Sequence, residues 1–416
     1  MKTPVRIGVA GLGGFAGSHH QAILRLEAAG HAKLVCTCDP TPSAFAADQQ
    51  ALQFAARGVQ VFDDYQAMLD ACRDRLDMVA IPTPIALHAE MHAAAAACGL
   101  PTYLEKPPTL HHAELQRMIA ADARGAKASV VGFNFILEKN RLALKERLLS
   151  GEFGAIRGAT LAARWPRPAS YFTRNGWAGK LMRDGRFVLD SCFGNAMAHF
   201  VHNLLFWTGR PDLFSWAQVA AVRAELYRAH AIAGADTFFV EADTVDGVTV
   251  RFAMSHACAG ASVHSEIVLC DQATLHYSVG HRIEVRWNDG RIERLQMEPF
   301  DPLAENYLEY FRYLRGETQR PVTTLVDARP FVTLHALAYV SSGYIARMPE
   351  SFISPQRDEK EQKDYLHVSP MAATQENFLV RGVWPSADGW GRAPAEVVTP
   401  ADLNRFEGTI RSMAVA

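Results

Sequence analysis

Through the first third of the chain, short apolar runs rich in β-branched residues alternate with stretches of helical period. Val5–Ala10 (VRIGVA), Ala32–Thr37, Val59–Phe62, Asp77–Ile81, Pro101–Leu104 and Ala128–Phe133 read as strands. Between them, Ser18–Ala29, Ala44–Arg57, Tyr65–Cys72, His88–Cys98 and His111–Arg124 read as helices. This alternation predicts a parallel, doubly wound sheet, with its ligand site beyond the carboxyl ends of the strands. The pattern then changes. A helix over Asn140–Leu149 and a strand over Ala155–Arg164 lead into a loop rich in arginine and aromatic residues, followed by a helix over Gly194–Trp207. Strand-like runs follow in series: Phe214–Val222, Thr237–Val240, Thr244–Met254, Ser262–Leu269, Ala273–Val279 and Arg282–Trp287. Strands in series with turns such as Asn288-Asp289-Gly290 predict a mainly antiparallel sheet. Helices over Pro302–Arg315 and Ala328–Ile345 close it, and from about residue 350 a polar extension with late aromatics remains. The expected fold class is α/β, an N-terminal Rossmann doubly wound parallel sheet followed by an α+β domain with a large open sheet. Its expected divisions are 1–130, 131–349 and 350–416, the last packing on the second domain or on a neighbouring subunit.

Composition narrows the partners. With 42 basic and 44 acidic residues the formal net charge is −2, which favours neither nucleic acid nor a membrane surface. No apolar run is long enough to span a bilayer. Strand character begins at Val5 and leaves no room for a leader, so a cytoplasmic protein is expected. The seven cysteines are scattered and odd in number, which suits reduced thiols. His256, His264 and His276 lack the spacing of a metal set, and no metal is expected.

The first strand runs straight into Gly11-Leu12-Gly13-Gly14-Phe15-Ala16-Gly17 and then a helix. Gly11 permits a tight turn, Gly13 lets the backbone approach a pyrophosphate, and Ala16 lets helix and strand pack closely. The helix N-terminus offers unpaired N–H groups and a partial positive charge to phosphates. Asp39, at the end of the second strand, can accept hydrogen bonds from an adenosine ribose and would repel a 2′-phosphate. NAD is therefore the expected cofactor, in preference to NADP, with Gly11, Gly13, Gly14, Phe15, Ala16 and Asp39 contributing to its site.

Further on, Pro82-Thr83-Pro84 with His88, the turn Glu105-Lys106-Pro107 and the segment Trp207-Thr208-Gly209 join the glycine loop in a recognisable order. Over about residues 1–345 the chain resembles the glucose–fructose oxidoreductase/inositol dehydrogenase (Gfo/Idh/MocA) family. The resemblance implies a Rossmann domain, a C-terminal α/β domain whose open sheet commonly forms a homodimer or homotetramer interface, and nicotinamide-dependent chemistry on a hydroxyl or ketone of a sugar, polyol or related compound. It implies that Pro82, Thr83, His88, Glu105 and Lys106 lie along the cofactor, with Lys106 bonding the substrate oxygen and stabilising alkoxide charge. It also implies an aspartate and a histidine four residues apart at the nicotinamide. His199 takes the histidine place, whereas Asn195 stands where the acid belongs, a departure from the family pattern. Asn195 can bond a hydroxyl or steer the imidazole. Asp190 either supplies the missing carboxylate or caps the helix through its orphan N–H groups. By helical spacing Asn195, His199, His202 and Asn203 share one face.

Family members place substrate contacts where this chain has Arg164, Trp165, Tyr171, Trp177 and Lys180. From Arg164 to Arg186 there are six basic residues and one acid, Asp184. Aromatics stack on sugar faces and arginines grip carboxylates or phosphates, although a solvated loop or a subunit contact has the same composition. Two other readings stay open: an NAD(H)-binding sensor that turns nothing over, and an NAD-dependent glycoside-cleaving enzyme.

Overall fold

Residues 3–415 are described in the computed structural model. Met1 and Lys2, at the chain start read as leaving no room for a leader, lie outside the described residues, as does Ala416. Among the described residues no helix is long and apolar enough to cross a membrane. The chain forms two compact units, one of residues 1–138 with 299–329, the other of residues 139–298 with 330–416.

The first unit is built on a six-stranded, wholly parallel sheet. Its strands are β1 (Val5–Ala10), β2 (Ala32–Cys38), β3 (Gln60–Phe62), β4 (Met78–Ile81), β5 (Thr102–Leu104) and β6 (Val130–Val131), in the order β3-β2-β1-β4-β5-β6. The order reverses between β1 and β4, which makes that point the switch where doubly wound sheets bind ligands. Central strands read as continuous apolar runs because both faces are covered, and Met78–Ile81 is fully buried. Ala44–Arg57 is not the single helix that its alanines suggest. It breaks into Pro42–Phe45, Ala46–Ala51 and Phe54–Arg57 around Gln53, whose φ is 54°.

The helix Pro302–Leu314 belongs to this unit, although the chain reaches it only after the second sheet. The sequence-based division at residue 130 therefore differs from the compact units by this returning segment. Its apolar face explains the return: Leu303, Tyr307, Tyr310 and Phe311 join the core of Ile7, Val9, Ile23 and Tyr103. Tyr307 stacks on Tyr103 at 4.6 Å, and Asn306 donates through Nδ2 to Asn134 O at 2.9 Å.

In the second unit β7 (Ile156–Arg164) is central. Around it lie β8 (Val219–Arg228), β9 (Thr237–Thr244), β10 (Thr249–Ser255), β11 (Val263–Cys270), β12 (Ala273–Ser278), β13 (Arg282–Trp287), β14 (Ile292–Arg294) and β15 (Ile345–Arg347). The order is β14-β13-β12-β11-β7-β10-β9-β8-β15, with Val397–Val398 added against β8. Most pairs are antiparallel, while β7–β10 and β8–β15 are parallel. One face carries the turn Cys192–Ala196 and the helices Ala198–Thr208 and Arg329–Ser342, seen in the contacts of Phe193 with Phe238 and Phe252, of Trp207 with Glu266 and of Tyr339 with Phe238.

Residues 350–416 are more ordered than their polar composition suggests. They form a hairpin of Ile353–Asp358 and Lys363–Val368, a helix Met371–Arg381 and a closing helix Phe406–Val415. Phe378, Trp384 and Trp390 bury against Tyr227, Phe239 and Ala253, so the extension packs on the sheet of its own unit.

The helix Ala198–Thr208 is fixed to the sheet by a buried ion network. Glu266 on β11 accepts from Arg141 Nη1 (2.7 Å), Trp207 Nε1 (2.6 Å) and Asn203 Nδ2 (3.0 Å), and His264 Nε2 lies 3.1 Å away. Arg141 also lies over the rings of Tyr277 (4.3 Å) and Trp207 (4.9 Å). The buried Lys145 ammonium donates to Phe206 O at 2.5 Å and to Gly209 O, which satisfies carbonyls at the helix C-terminus. Burial, helped by the charge of Arg210, pulls Lys145 down to about 7. Burial pushes the Glu266 carboxyl up, but the Arg141 charge and the bonds from His264 and Arg141 outweigh it and hold the group at about 2.

Removing the carboxylate strands a buried guanidinium, so Glu266→Ala is expected to cost about 3–5 kcal/mol in denaturant unfolding. The folded value of about 2 lies below the ordinary 4.5. The contribution of Glu266 is therefore fully present above pH 4.5 and lost as pH falls through about 2, and the variant should show a flatter acid limb than the wild type.

Candidate functional site

Because all six strands of the first sheet are parallel, the residues after β1, β2, β4 and β5 emerge at one edge. These are the glycine loop, Asp39, Pro82-Thr83-Pro84 and Glu105-Lys106-Pro107. Gly11 has φ +107°, a conformation that side chains rarely adopt, and a Cβ built there would lie 3.3 Å from Ala16 Cβ and 4.0 Å from Thr83 Cγ2. The glycine turn, the third small position and the Thr83 turn are thus in contact. A Cβ on Gly13 would come within 2.7 Å of the Phe45 ring. Gly14 opens the helix Phe15–Ala28 at φ 59°, no side chain caps that end, and its first turn carries no acid. Phe15 itself is half exposed at 52%. An uncapped helix end framed by glycines is suited to a pyrophosphate.

Asp39 holds the loop as well as facing solvent. Its Oδ2 accepts from Leu12 N at 3.1 Å, and its Oδ1 accepts from Thr41 N at 3.0 Å and Thr41 Oγ1 at 3.3 Å. These bonds fix the carboxylate beside the glycine loop while lone pairs remain for ribose hydroxyls. The features that a dinucleotide requires are therefore present at this edge.

His19 and His20 turn inward from the first helix. His20 Nε2 lies 3.0 Å from Gly11 O, and burial pulls its imidazole down to about 4. His19 lies between Tyr307 Oη (2.6 Å) and Glu105 Oε1 (3.0 Å). The other Glu105 oxygen accepts from Lys106 N at 3.2 Å. Glu105, buried at 5% exposure, therefore fixes the backbone that carries the half-buried Lys106. His88 is buried too, with Nε2 2.8 Å from Thr83 O and Nδ1 3.0 Å from Pro107 O. Burial lowers its pKa, and the ring ties the Thr83 turn to the Lys106 turn. Pattern reading missed Tyr307, which lies 288 positions from its partner His19 with no local signal to link them.

In the second unit the helix entrance differs from expectation. Cys192–Ala196 forms a π-type turn, and the regular helix begins at Ala198. Ser191 caps this entrance by accepting from Gly194 N at 2.9 Å. Asp190 is therefore not the cap. Its Oδ2 accepts from Gly179 N at 2.8 Å and its Oδ1 from Asn195 Nδ2 at 2.7 Å. The aspartate and the asparagine thus form a bonded pair one turn before His199. Nor do the four polar residues point to one place. His199 is half-buried, Asn203 reaches Glu266, and His202 Nδ1 accepts from Trp216 Nε1 at 3.2 Å.

The arginine-rich segment packs around Tyr171. Arg167 lies 4.6 Å and Arg174 3.5 Å from the ring centre, and these guanidiniums also reach Trp165 and Trp177 respectively, each at 4.9 Å. Arg174 Nη2 is 4.0 Å from Asp190 Oδ2. Trp165 approaches Phe200, next to His199, at 6.0 Å. Arg164 is turned to Gln375 of the extension at 2.8 Å, and Lys180 is exposed. His256 Nδ1 lies 2.8 Å from Trp165 O, and burial, assisted by the Arg167 charge, pulls it down to about 3. Cys192 is fully buried, and burial pushes its thiol well up, away from the thiolate form.

Comparison with known proteins agrees with this geometry. Residues 5–133 match the family model described as oxidoreductase family, NAD-binding Rossmann fold (GFO_IDH_MocA). The inositol 2-dehydrogenase of Leifsonia xyli subsp. xyli (strain CTCB07) is 30% identical over 153 residues, 36% of this chain and 42% of that protein. The inositol 2-dehydrogenase of Rhizobium meliloti (strain 1021) is 26% identical over 174 residues, 41% of this chain and 49% of that one. The chain thus spans less than half the length of either curated relative. In fold, the chain is similar to the WlbA dehydrogenase from Bordetella pertussis, solved with NADH and UDP-GlcNAcA. The TM-score is 0.66 at 24% identity, covering 82% of this chain and 96% of that one.

Gly11→Ala is expected to strain the loop by about 1–2 kcal/mol. NADH titration by fluorescence should show at least a roughly tenfold weaker affinity with unchanged far-UV circular dichroism. Asp39→Ala should narrow the preference for NADH over NADPH, because a like-charge repulsion is removed.

Proposed function

We propose that this chain, whose residues 5–133 match the family model of NAD-binding Rossmann-fold oxidoreductases (GFO_IDH_MocA), is an NAD(H)-dependent oxidoreductase acting on a hydroxyl or ketone of a sugar, polyol or sugar derivative. The curated relatives are inositol dehydrogenases, which supports a polyhydroxylated substrate. The observation that carries the reading is the fixation of the Lys106 turn at the same sheet edge as the glycine loop, through His19, Tyr307 and Glu105.

The glycine loop and the helix end would hold the pyrophosphate, and Asp39 the adenosine ribose. NAD, when bound, accepts or donates the hydride. The remaining work falls to side chains of the protein. The Lys106 ammonium bonds the substrate oxygen and stabilises negative charge as the hydroxyl proton leaves. His199 takes up that proton at a ring nitrogen and returns it in the reverse direction. Asn195 cannot carry a proton, so its part is to orient, and its bond to Asp190 fixes which way the amide faces, with Nδ2 donating to the carboxylate. Asp190 brings a carboxylate next to the place where the family pattern has its acid.

The test is reduction of NAD+ followed at about 340 nm, the reduced-nicotinamide band, over a panel of sugars and polyols. With the substrate so found, Lys106→Ala and His199→Ala should each lower kcat by about 10²–10⁴-fold while NADH affinity is kept. Full activity in either variant would remove that residue from proton transfer. Tight ligand binding with no turnover across the panel would favour the sensor. Release of a leaving group without net NAD reduction would favour glycoside cleavage.

A further inference from the structure

We infer that the substrate carries an anionic group, a carboxylate or a phosphate, bound between the guanidinium groups of Arg167 and Arg174 beside the Tyr171 ring. The inference deepens the dehydrogenase reading and rests on it, since it names the substrate class of the same site.

Arginine in a protein normally spends its charge on a carboxylate. These two spend it on aromatic faces. Both guanidinium carbons are measured from the same Tyr171 ring centre, at 4.6 and 3.5 Å, so they are no more than about 8 Å apart. A carboxylate or phosphate set between them can accept N–H bonds of about 2.8 Å from both. Contact with a ring face attracts a cation but offers no acceptor to the N–H edge, where five donors lie in one plane; of these Arg174 gives Nη1 to Tyr171 O at 2.5 Å. Arg167 lies over the Tyr171 ring, and its buried Nε has no hydrogen-bond partner. A buried donor left without an acceptor is costly, and an incoming anion would remove that cost.

The acids nearby are already committed. Asp190 is 4.0 Å from Arg174, at the outer limit of an ion pair, and its two oxygens accept from Gly179 N and Asn195 Nδ2. Asp184, the one acid between Arg164 and Arg186, is paired with Arg183 at 3.2 Å. Arg164 is held by Gln375. The charge of Arg167 and Arg174 is thus largely uncompensated within the chain, and it is preset: the turn Ala169–Thr173 that carries Tyr171 packs against the strand Lys363–Val368 of the extension. The same Asp190 that approaches Arg174 is bonded to Asn195, so the anion and the reacting hydroxyl would be bound by neighbouring members of one connected set.

Calorimetric titration of the full-length protein saturated with NADH tests this with matched probes: glucose, glucuronate and glucose 6-phosphate, and the corresponding galactose set. At least one charged probe is expected to bind about tenfold or more tightly than its neutral parent, and the carboxylate and phosphate arms separate the two sources of charge. Arg167→Gln and Arg174→Gln should each weaken the charged probe roughly tenfold and leave the neutral one unchanged. Arg291→Gln, at the distant β13–β14 turn, should alter neither. Equal binding of neutral and charged probes, no binding of any charged probe, or equal losses for both in the arginine variants would overturn the inference. Charged probes that bind in an arginine-dependent way without any NAD+ reduction would support the clamp and sink the dehydrogenase. A neutral sugar reduced or oxidised faster than its charged counterparts would do the reverse.

Discussion

Strands that all run the same way must end on the same edge, and the rest of the first unit follows from that. The glycine loop, Asp39, the Thr83 turn and Lys106 are separated by tens of residues, yet each follows a parallel strand. A sheet of mixed direction would send half of them to the opposite side. Parallel pairing also requires both faces to be covered, which is why a helix from far along the chain returns to bring Tyr307 under Tyr103. That return completes the His19–Glu105 connection, so one packing requirement serves both the core and the site.

In the second unit, ion pairing has the organising role that strand direction has in the first. Burying Glu266 is costly, and it is tolerated because Arg141, Trp207, Asn203 and His264 converge on it from two helices and the sheet. Both ends of the helix bearing His199 are thereby set: Ser191 caps the turn that leads into it, and Lys145 closes its carboxyl end. A side chain proposed to meet a substrate, as His199 is, is better placed on a helix fixed in this way than on a loop.

Much of this was legible in the sequence because the signals are local. Alternating period gave the parallel sheet, and turn chemistry gave the glycine loop with Asp39. The resemblance to a family suggested Lys106 and His199, whose roles remain part of the proposal. What escaped was non-local or rested on competition between neighbours. Asp190 and Ser191 are both good helix caps, and only the fold shows that Gly179 and Asn195 claim the first and leave the second to the helix. The broken stretch Ala44–Arg57 failed for a similar reason, since alanine content cannot register a left-handed Gln53. Residues 350–416 looked polar because a few large rings, Phe378, Trp384 and Trp390, with scattered residues such as Val368, Met371 and Leu379, supply their apolar face.

The extension has one more effect on the sheet beneath it. Phe238 of β9 faces Phe193 and Tyr339, whereas its neighbour Phe239 faces Phe378 and Trp390. A strand wet on one side keeps its alignment because a one-residue slip would put oily groups into water. Here a slip would exchange one phenyl ring for another at the strand's start, and the register is told apart only further along, where it would turn Glu241 and the exposed Asp243 onto the face of the buried Val240 and Ala242. At the start itself the alignment is held by polar fasteners, where Thr237 bonds both Asp236 and Ser255 in the interior. Those small hydroxyls fix the end of the strand where the two rings are interchangeable, and the charged residues beyond them fix the rest.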